Sequence, residues 1–385
     1  MMAFALAESG SLKADRGDIV LFANTSAEHP GTYAFSIRCK QRLEQDYGLP
    51  FFWYEFCTVE DGVRGQYARR QSYRLVKASP VESDPQGYRS RGEVFEELLS
   101  YQGMLPTPMS RSCTAKLKLY PQHLLLAEWL GGTEGPLHRG HHADRSFFEA
   151  DTAAQLYRAN GGSAKAEAYR ERVGYMARQP TSRAAQRWRD YTAASLYTAW
   201  QPRRSRPAPL FGPKAVQFVT LLGLRADEPQ RVQRIVSRSL LAEGAQRRKC
   251  SVRTQPPGER PYFPLQAAGV CASDVRDFWR SQDFDLRCPE HAGNCVYCFM
   301  KGTKQLSAAA RAEDPQRVAG APSDILWWAD IERRYRREAP RRNGEGISRF
   351  GFLGVSGPSF DDISAGAVNP ASRFSSDRVA CDCTD

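Results

Sequence analysis

Cys295-Val-Tyr-Cys298 sets two thiols three positions apart. Both thiolates can then face one metal, or the pair can cycle between dithiol and disulfide. No second CxxC stands at ribbon spacing, so a tetrahedral zinc would need two further ligands, with Cys288 and His291 as the nearest candidates. Two buried thiols without metal are the plainer alternative. A second constellation is Arg111-Ser-Cys-Thr-Ala-Lys-Leu-Lys118, where Cys113 stands among hydroxyl and cationic groups just before a helix. That suits an anion held at a helix N-terminus, although a solvated basic helix start has the same composition. The third is Arg225, Glu228 and Arg231. Two guanidinium groups can grip phosphate or sulfate while the carboxylate between them orients one; the alternative is a surface ion-pair cluster of little energetic weight.

Such residues need a frame, and residues 18–32 show its unit. Residues 19–23 are a short apolar run, suited to a strand buried on both faces. Asn24, Thr25 and Ser26 end it, Pro30 stands where a helix would begin, and Tyr33, Ile37, Leu43 and Tyr47 follow at helical spacing. In open α/β sheets the loop between such a strand and helix is where ligands bind. Residues 51–57 and 73–76 read as further strands, 91–101 as a helix, and 215–222 as a later strand. Helices are also expected from Asp274, with Ser273 as N-cap, and over residues 325–332.

The fold class expected is therefore α/β. Residues 1–130 and 210–310 form its two parts, separated by a basic helical insertion at 131–209. Residues 311–385 are expected to hold a helix and, beyond Arg337, a mobile tail with Cys381 and Cys383. His138, His141 and His142 in the insertion suit an exposed glycine-flanked loop better than a metal site.

The chain has 385 residues, enough for two or three domains, and its 41% hydrophobic and 25% charged content is that of a globular protein. No apolar run approaches the ~20 residues of a bilayer-spanning helix. Residues 1–7 lack the basic flank of a signal peptide, and the ten cysteines are unevenly spaced, so a reducing, cytoplasmic setting is expected. A net charge of +11 is compatible with phosphate-bearing ligands or nucleic acid, and Arg-rich composition alone gives the same balance.

Four stretches stand in one order: Val20-Leu-Phe-Ala-Asn-Thr-Ser-Ala-Glu-His-Pro-Gly-Thr32, Arg111-Ser-Cys-Thr-Ala-Lys-Leu-Lys118, Gly223-Leu-Arg-Ala-Asp-Glu-Pro-Gln-Arg231 and Gly293-Asn-Cys-Val-Tyr-Cys298. Together they resemble the phosphoadenosine phosphosulfate (PAPS) reductase-like family of PP-loop ATP pyrophosphatases, also called adenine nucleotide alpha hydrolases. The resemblance implies a doubly wound parallel sheet that binds ATP, with Mg, or a related adenine nucleotide at its carboxyl edge. It places Asn24, Thr25, Glu28 and Arg111 on the nucleotide side. Arg225, Glu228, Arg231 and Lys116 fall at the anionic, reacting end. Cys113, Cys295 and Cys298 would hold an iron–sulfur cluster of the 4Fe–4S type, with Cys288 as an optional fourth ligand. The implied activity is cleavage of ATP between its α- and β-phosphates or reduction of a sulfonucleotide, linked to sulfur transfer. A sulfur-donor protein is then an expected partner, and the acceptor is a sulfonucleotide, a nucleic acid or a small molecule.

The family's SGGxxS loop is not found. Residues 1–8 look like the helix that follows that loop, and Ser9-Gly-Ser11 falls at the helix's end. A start placed too late is the favoured expectation, and a truncated, inactive member is the alternative. The competing expectation for the whole chain is a non-catalytic, zinc-containing nucleic-acid-binding protein.

Overall fold

The computed structural model describes residues 1–61, 68–110, 112–122, 125–126, 218–244, 259–286, 288–289, 292–293, 295–340, 346–355 and 357–368. The insertion at 131–209 with its three histidines, Arg111, His291, Cys381 and Cys383 lie outside the described residues.

Helix α1 (Met2–Glu8) precedes strand β1 (Val20–Asn24), and α2 (Pro30–Tyr47) follows it. Pro30 takes the first helical position, where its missing N–H costs nothing. His29 caps the helix through Nδ1, which accepts from the Gly31 N–H at 3.0 Å. The chain returns as β2 (Phe51–Asp61), parallel to β1, with Asn24 opposite Glu55. Strand β3 (Ala68–Pro80) pairs antiparallel with β2, and the short β4 (Gly87–Tyr88) completes a four-stranded sheet in the order β1-β2-β3-β4. The chain is therefore α/β with a mixed sheet. An all-parallel sheet with a short third strand was the expectation, and the long antiparallel β2–β3 pair departs from it.

Alternation along the strands divides the side chains between two faces. Val20, Phe22, Trp53 and Val76 pack against Phe4 of α1 and Tyr33 and Leu43 of α2. Leu21, Phe52, Tyr54 and Leu75 take the opposite face with Leu125 and Leu126. Strands β5 (Phe218–Leu221) and β6 (Glu259–Tyr262) make a separate parallel pair, with α4 (Pro229–Gly244) between them in sequence. Helices α5 (Pro264–Ala267) and α6 (Ala272–Arg280) come next. Cys271, rather than the expected Ser273, is the N-cap of α6, and Asp274 accepts from the Cys271 N–H at 2.7 Å.

The larger core gathers around Phe56, in the middle of β2, and Ala27, just past the end of β1. It is built by α3 (Glu93–Gln102), α7 (Thr303–Arg311), α8 (Ile325–Tyr335) and α9 (Phe360–Ser364), which supply Phe95, Leu306, Trp328 and Phe360 among others. Strands β7 (Arg337–Pro340) and β8 (Ile347–Phe350) form a hairpin between α8 and α9. Residues 337–340, 346–355 and 357–368 thus take defined strand, turn and helix positions where a mobile tail was expected. The reason is local: Phe352 and Phe360 are fully buried, and Glu332 of α8 accepts from both backbone N–H groups, at 2.8 and 2.7 Å.

Gly92 begins α3 at φ +88°, and a Cβ there would collide with the Trp327 ring. Gly92→Ala is expected to cost roughly 2 kcal/mol or more through combined backbone strain and overpacking. A lower urea midpoint at unchanged m-value would report it; an unchanged midpoint would show that the Trp327 ring yields.

Candidate functional site

The loop after β1 is built by its own polar side chains. Asn24 Oδ1 accepts from the Ser26 N–H at 2.8 Å and from the Tyr33 hydroxyl at 3.3 Å. Asn24 Nδ2 donates to Glu55 Oε1 at 2.8 Å and to the Arg89 carbonyl at 2.7 Å. This holds Ser26 at φ +58°, in the left-handed region. From there Ser26 Oγ accepts from the Val94 and Phe95 N–H groups at 2.8 and 3.4 Å, capping α3 where Gly92 has no side chain to do so. Glu28 accepts from the Thr25 hydroxyl at 2.7 Å, from the Thr25 and Ala27 N–H groups at 3.3 and 3.2 Å, and from the Tyr33 hydroxyl at 3.3 Å. Asn24 and Glu28, expected on the nucleotide side, are buried, and these contacts hold the loop's shape.

Beneath the loop lies a charge network that sequence reasoning missed. Glu55 is fully buried and accepts from Arg74 Nε at 2.8 Å, Arg89 Nη1 at 2.9 Å and the Arg89 N–H at 2.8 Å. Burial alone would raise its pKa, but Arg89 and Arg74 outweigh that and hold the carboxyl below its ordinary value. Arg74 also reaches Glu97 at 3.5 Å, and Glu97 accepts from the Thr58 N–H at 2.6 Å. Nearby, the buried His29 lies 2.9 Å from Asp314 through Nε2; because Nδ1 accepts from Gly31, Nε2 carries the proton and donates.

Cys113, Cys295 and Cys298 line one cleft, whose empty space is about 400 Å³ counted with its mouth. Thr25, Thr114 and Lys118 also line it, through their apolar atoms, and Phe95, Phe299 and Trp328 complete its walls. Cys113 precedes a π-helical turn, Thr114–Leu119. Cys113, Thr114, Leu117 and Lys118 all line the cleft, a spacing of i, i+1, i+4 and i+5 that marks one helical face. Lys116, expected at the reacting end, falls off that face. It lies over the Tyr101 ring at 5.9 Å, and burial lowers its pKa. Helical phase is the signal that would have selected Lys118.

The CxxC segment is a tight turn, with the Cys298 N–H donating to the Cys295 carbonyl at 3.1 Å. Lys301 Nζ holds it from behind, donating to the Gly293 and Val296 carbonyls at 3.2 and 2.8 Å. Cys295 pairs through its backbone with Glu28, and its Sγ lies 3.9 Å from Thr25 Oγ1. Cys288 packs against the same core but does not line the cleft, and burial pushes its thiol up to about 11. Among the described residues, no three His, Cys, Asp or Glu side chains gather closely enough to hold a single metal ion.

Arg225, Glu228 and Arg231 stand together at the end of β5. Glu228 is 3.6 Å from Arg225 Nη2 and 2.5 Å from Arg231 Nη1, so the carboxylate does bridge two guanidinium groups. Arg225 also donates to Asp227 at 2.9 Å, and this bond holds Asp227 below its ordinary pKa. The cluster is partly exposed and does not line the cysteine cleft.

Among the described residues no helix is long and apolar enough to cross a membrane. No protein-family model matches the chain, and no solved structure matches it. Over 102 residues the chain is 30% identical to the uncharacterized nin region protein ORF290 of Escherichia phage lambda, a match that covers 26% of this chain and 27% of that protein. The matched stretch thus spans about a quarter of each chain.

Proposed function

We propose that this chain is a PAPS reductase-like enzyme that acts on an adenine nucleotide, by α–β cleavage of ATP or reduction of a sulfonucleotide, and serves sulfur transfer. The observation that carries the reading is the meeting of Cys113 with Cys295 and Cys298 in one cleft beside Thr25, just past the carboxyl end of β1. Parallel β1–α2–β2 and β5–α4–β6 units, with apolar packing on both faces of the larger sheet, support a doubly wound domain. Strands β3 and β4 run antiparallel to β1 and β2, and mixed sheets also occur among doubly wound folds.

Cys113, Cys295 and Cys298 would hold the iron–sulfur cluster. Three soft donors in an apolar-walled cleft suit such a group. A cubane is wider than one ion, so its thiolates stand farther apart than those around a zinc. A cleft shared by three thiols would supply three of a cubane's four thiolate ligands. Bound there, the cluster would supply electrons or an iron that takes sulfur. Lys118 and Thr114 border the cleft through their carbon atoms; turned inward, the ammonium and hydroxyl would meet an anionic sulfur or phosphate group. Arg225 and Arg231, steadied by Glu228, would take a second anionic group.

Anaerobically purified protein is expected to carry about four irons per chain and the broad visible absorbance of a thiolate-bound cluster. Cys113→Ala, Cys295→Ala and Cys298→Ala should each remove most of that iron, while Cys39→Ala, in a separate core, should not. Retention of iron by Cys113→Ala would show the three-cysteine site to be wrong. Stoichiometric zinc in place of iron would return the chain to the nucleic-acid-binding reading.

A further inference from the structure

Cys295 and Cys298 are held as a pair by the backbone, with no metal needed to bring them together. The Cys298 N–H donates to the Cys295 carbonyl at 3.1 Å, which closes a β-turn over residues 295–298. The end Cα atoms of such a turn lie within about 7 Å, and a disulfide spans roughly 4.4–6.8 Å between Cα atoms. Lys301 Nζ pins the turn on either side of Cys295, through the Gly293 and Val296 carbonyls. Both cysteines line the same apolar cleft, so both open onto one space. Their exposure differs: Cys298 is buried and Cys295 is half-buried. The Thr25 hydroxyl proton goes to Glu28, so the Thr25 oxygen accepts from the Cys295 S–H at 3.9 Å, and Cys295 stands as a thiol.

We propose that Cys295 and Cys298 are a thiol–disulfide exchange pair that takes a small uncharged disulfide, with Cys295 as the attacking and Cys298 as the resolving sulfur. In the first step the Cys295 sulfur bonds to one sulfur of the disulfide R–S–S–R. That S–S bond breaks, and the Cys295 proton passes to the released sulfur, which departs as R–SH. In the second step the Cys298 sulfur bonds to Cys295 Sγ, the mixed disulfide breaks, and a second R–SH departs with the Cys298 proton. The pair gives up two electrons and the small disulfide takes them. Exposure sets the order: an outside disulfide reaches Cys295 first, and the buried Cys298 meets the neighbour that the turn brings to it. Cys113 lines the cleft but lies outside the turn, so it is not the resolving sulfur. The apolar lining favours an uncharged R group. The exchange needs no metal and does not rest on the iron–sulfur reading; a metal group on these sulfurs would block it.

The test treats the full-length chain, kept metal-free with a chelator under argon, with 2-hydroxyethyl disulfide. The remaining thiols are blocked with maleimide, and peptide fragmentation in the mass spectrometer maps bonds and adducts. Wild type should lose two thiols together and carry a Cys295–Cys298 bond with little mixed disulfide. Cys298→Ser should instead keep one mercaptoethanol adduct, on Cys295. Cys295→Ser should take its adduct on Cys298 at least several-fold more slowly. Cys113→Ser should form the bond as wild type does. A bond from Cys295 to Cys113 or Cys288 in wild type would overturn the proposal. So would equal adduct rates in the Cys295→Ser and Cys298→Ser variants, or a Cys295–Cys298 pair that stays reduced in a large excess of the disulfide. If circular dichroism shows a serine variant unfolded, the bond map of wild type decides alone. A chain that forms the Cys295–Cys298 bond yet never takes up iron keeps this proposal and loses only the iron–sulfur reading.

Discussion

Glu55→Gln is expected to destabilise the fold by about 3–5 kcal/mol, the cost of removing one partner from a buried ionic group. The amide keeps the shape but not the charge, leaving Arg74 and Arg89 desolvated around a neutral side chain. Asn24 would also lose its charged acceptor, and the loop after β1 would loosen with it. The pH dependence has a definite sign. The folded carboxyl titrates below the unfolded one, whose pKa is about 4.3. Its stabilisation is therefore complete above that value and is lost as pH falls through the folded pKa. Urea midpoints measured from neutral pH downward should fall for wild type below about pH 4 and fall less steeply for Glu55→Gln. Equal midpoints for the two proteins at neutral pH would mean that Glu97 and the backbone satisfy both arginines unaided.

Trp328→Ala is expected to cost about 3–5 kcal/mol. Its ring packs edge-on against Phe95, Phe352 and Trp327, with centroids at 5.2, 5.5 and 5.0 Å, and its Nε1–H donates to the Pro322 carbonyl at 2.9 Å. Truncation would leave a cavity in the middle of that cluster and a carbonyl without its donor. Because the same ring walls the cysteine cleft, the cleft would widen too. Trp328→Phe keeps most of the packing and loses the hydrogen bond, so it should cost only about 1–3 kcal/mol. Chemical denaturation separates the two variants; indistinguishable midpoints would mean that the neighbouring rings collapse into the space.

What could be read without the structure follows from how each signal is written in the chain. Strand β1 and helix α2 were legible because an unbroken apolar run, three turn-forming residues and Pro30 mark every boundary. Strand β3 was read too short because its flanks, residues 68–72 and 77–80, are mostly polar in sequence, and inside it hydrophobic patterning counts the buried Arg74 as surface. Only the register shows that Glu55 stands directly opposite and neutralises it. The thiols of Cys113, Cys295 and Cys298 were visible as chemistry, but nothing local to them states that they share a cleft. That came from a resemblance in motif order. Phe352 and Phe360 were lost in a stretch rich in Gly, Arg and Ser, where two isolated aromatics anchor a segment whose average composition is that of a loop.

The reach of the Thr25–Cys295 contact sets an order in time. The two residues are 270 positions apart, whereas each strand of the four-stranded sheet meets its neighbour within a few tens of positions. Each doubling of a loop adds only about 0.6 kcal/mol to its closure, so the long span is thermodynamically cheap. During synthesis, however, the amino-terminal sheet can pair while residue 295 has yet to be made. Cys113 must therefore wait for its two partners until about three-quarters of the 385 residues have been made. Any group that needs all three sulfurs can enter only after residue 298 has emerged, so insertion follows the pairing of the amino-terminal sheet.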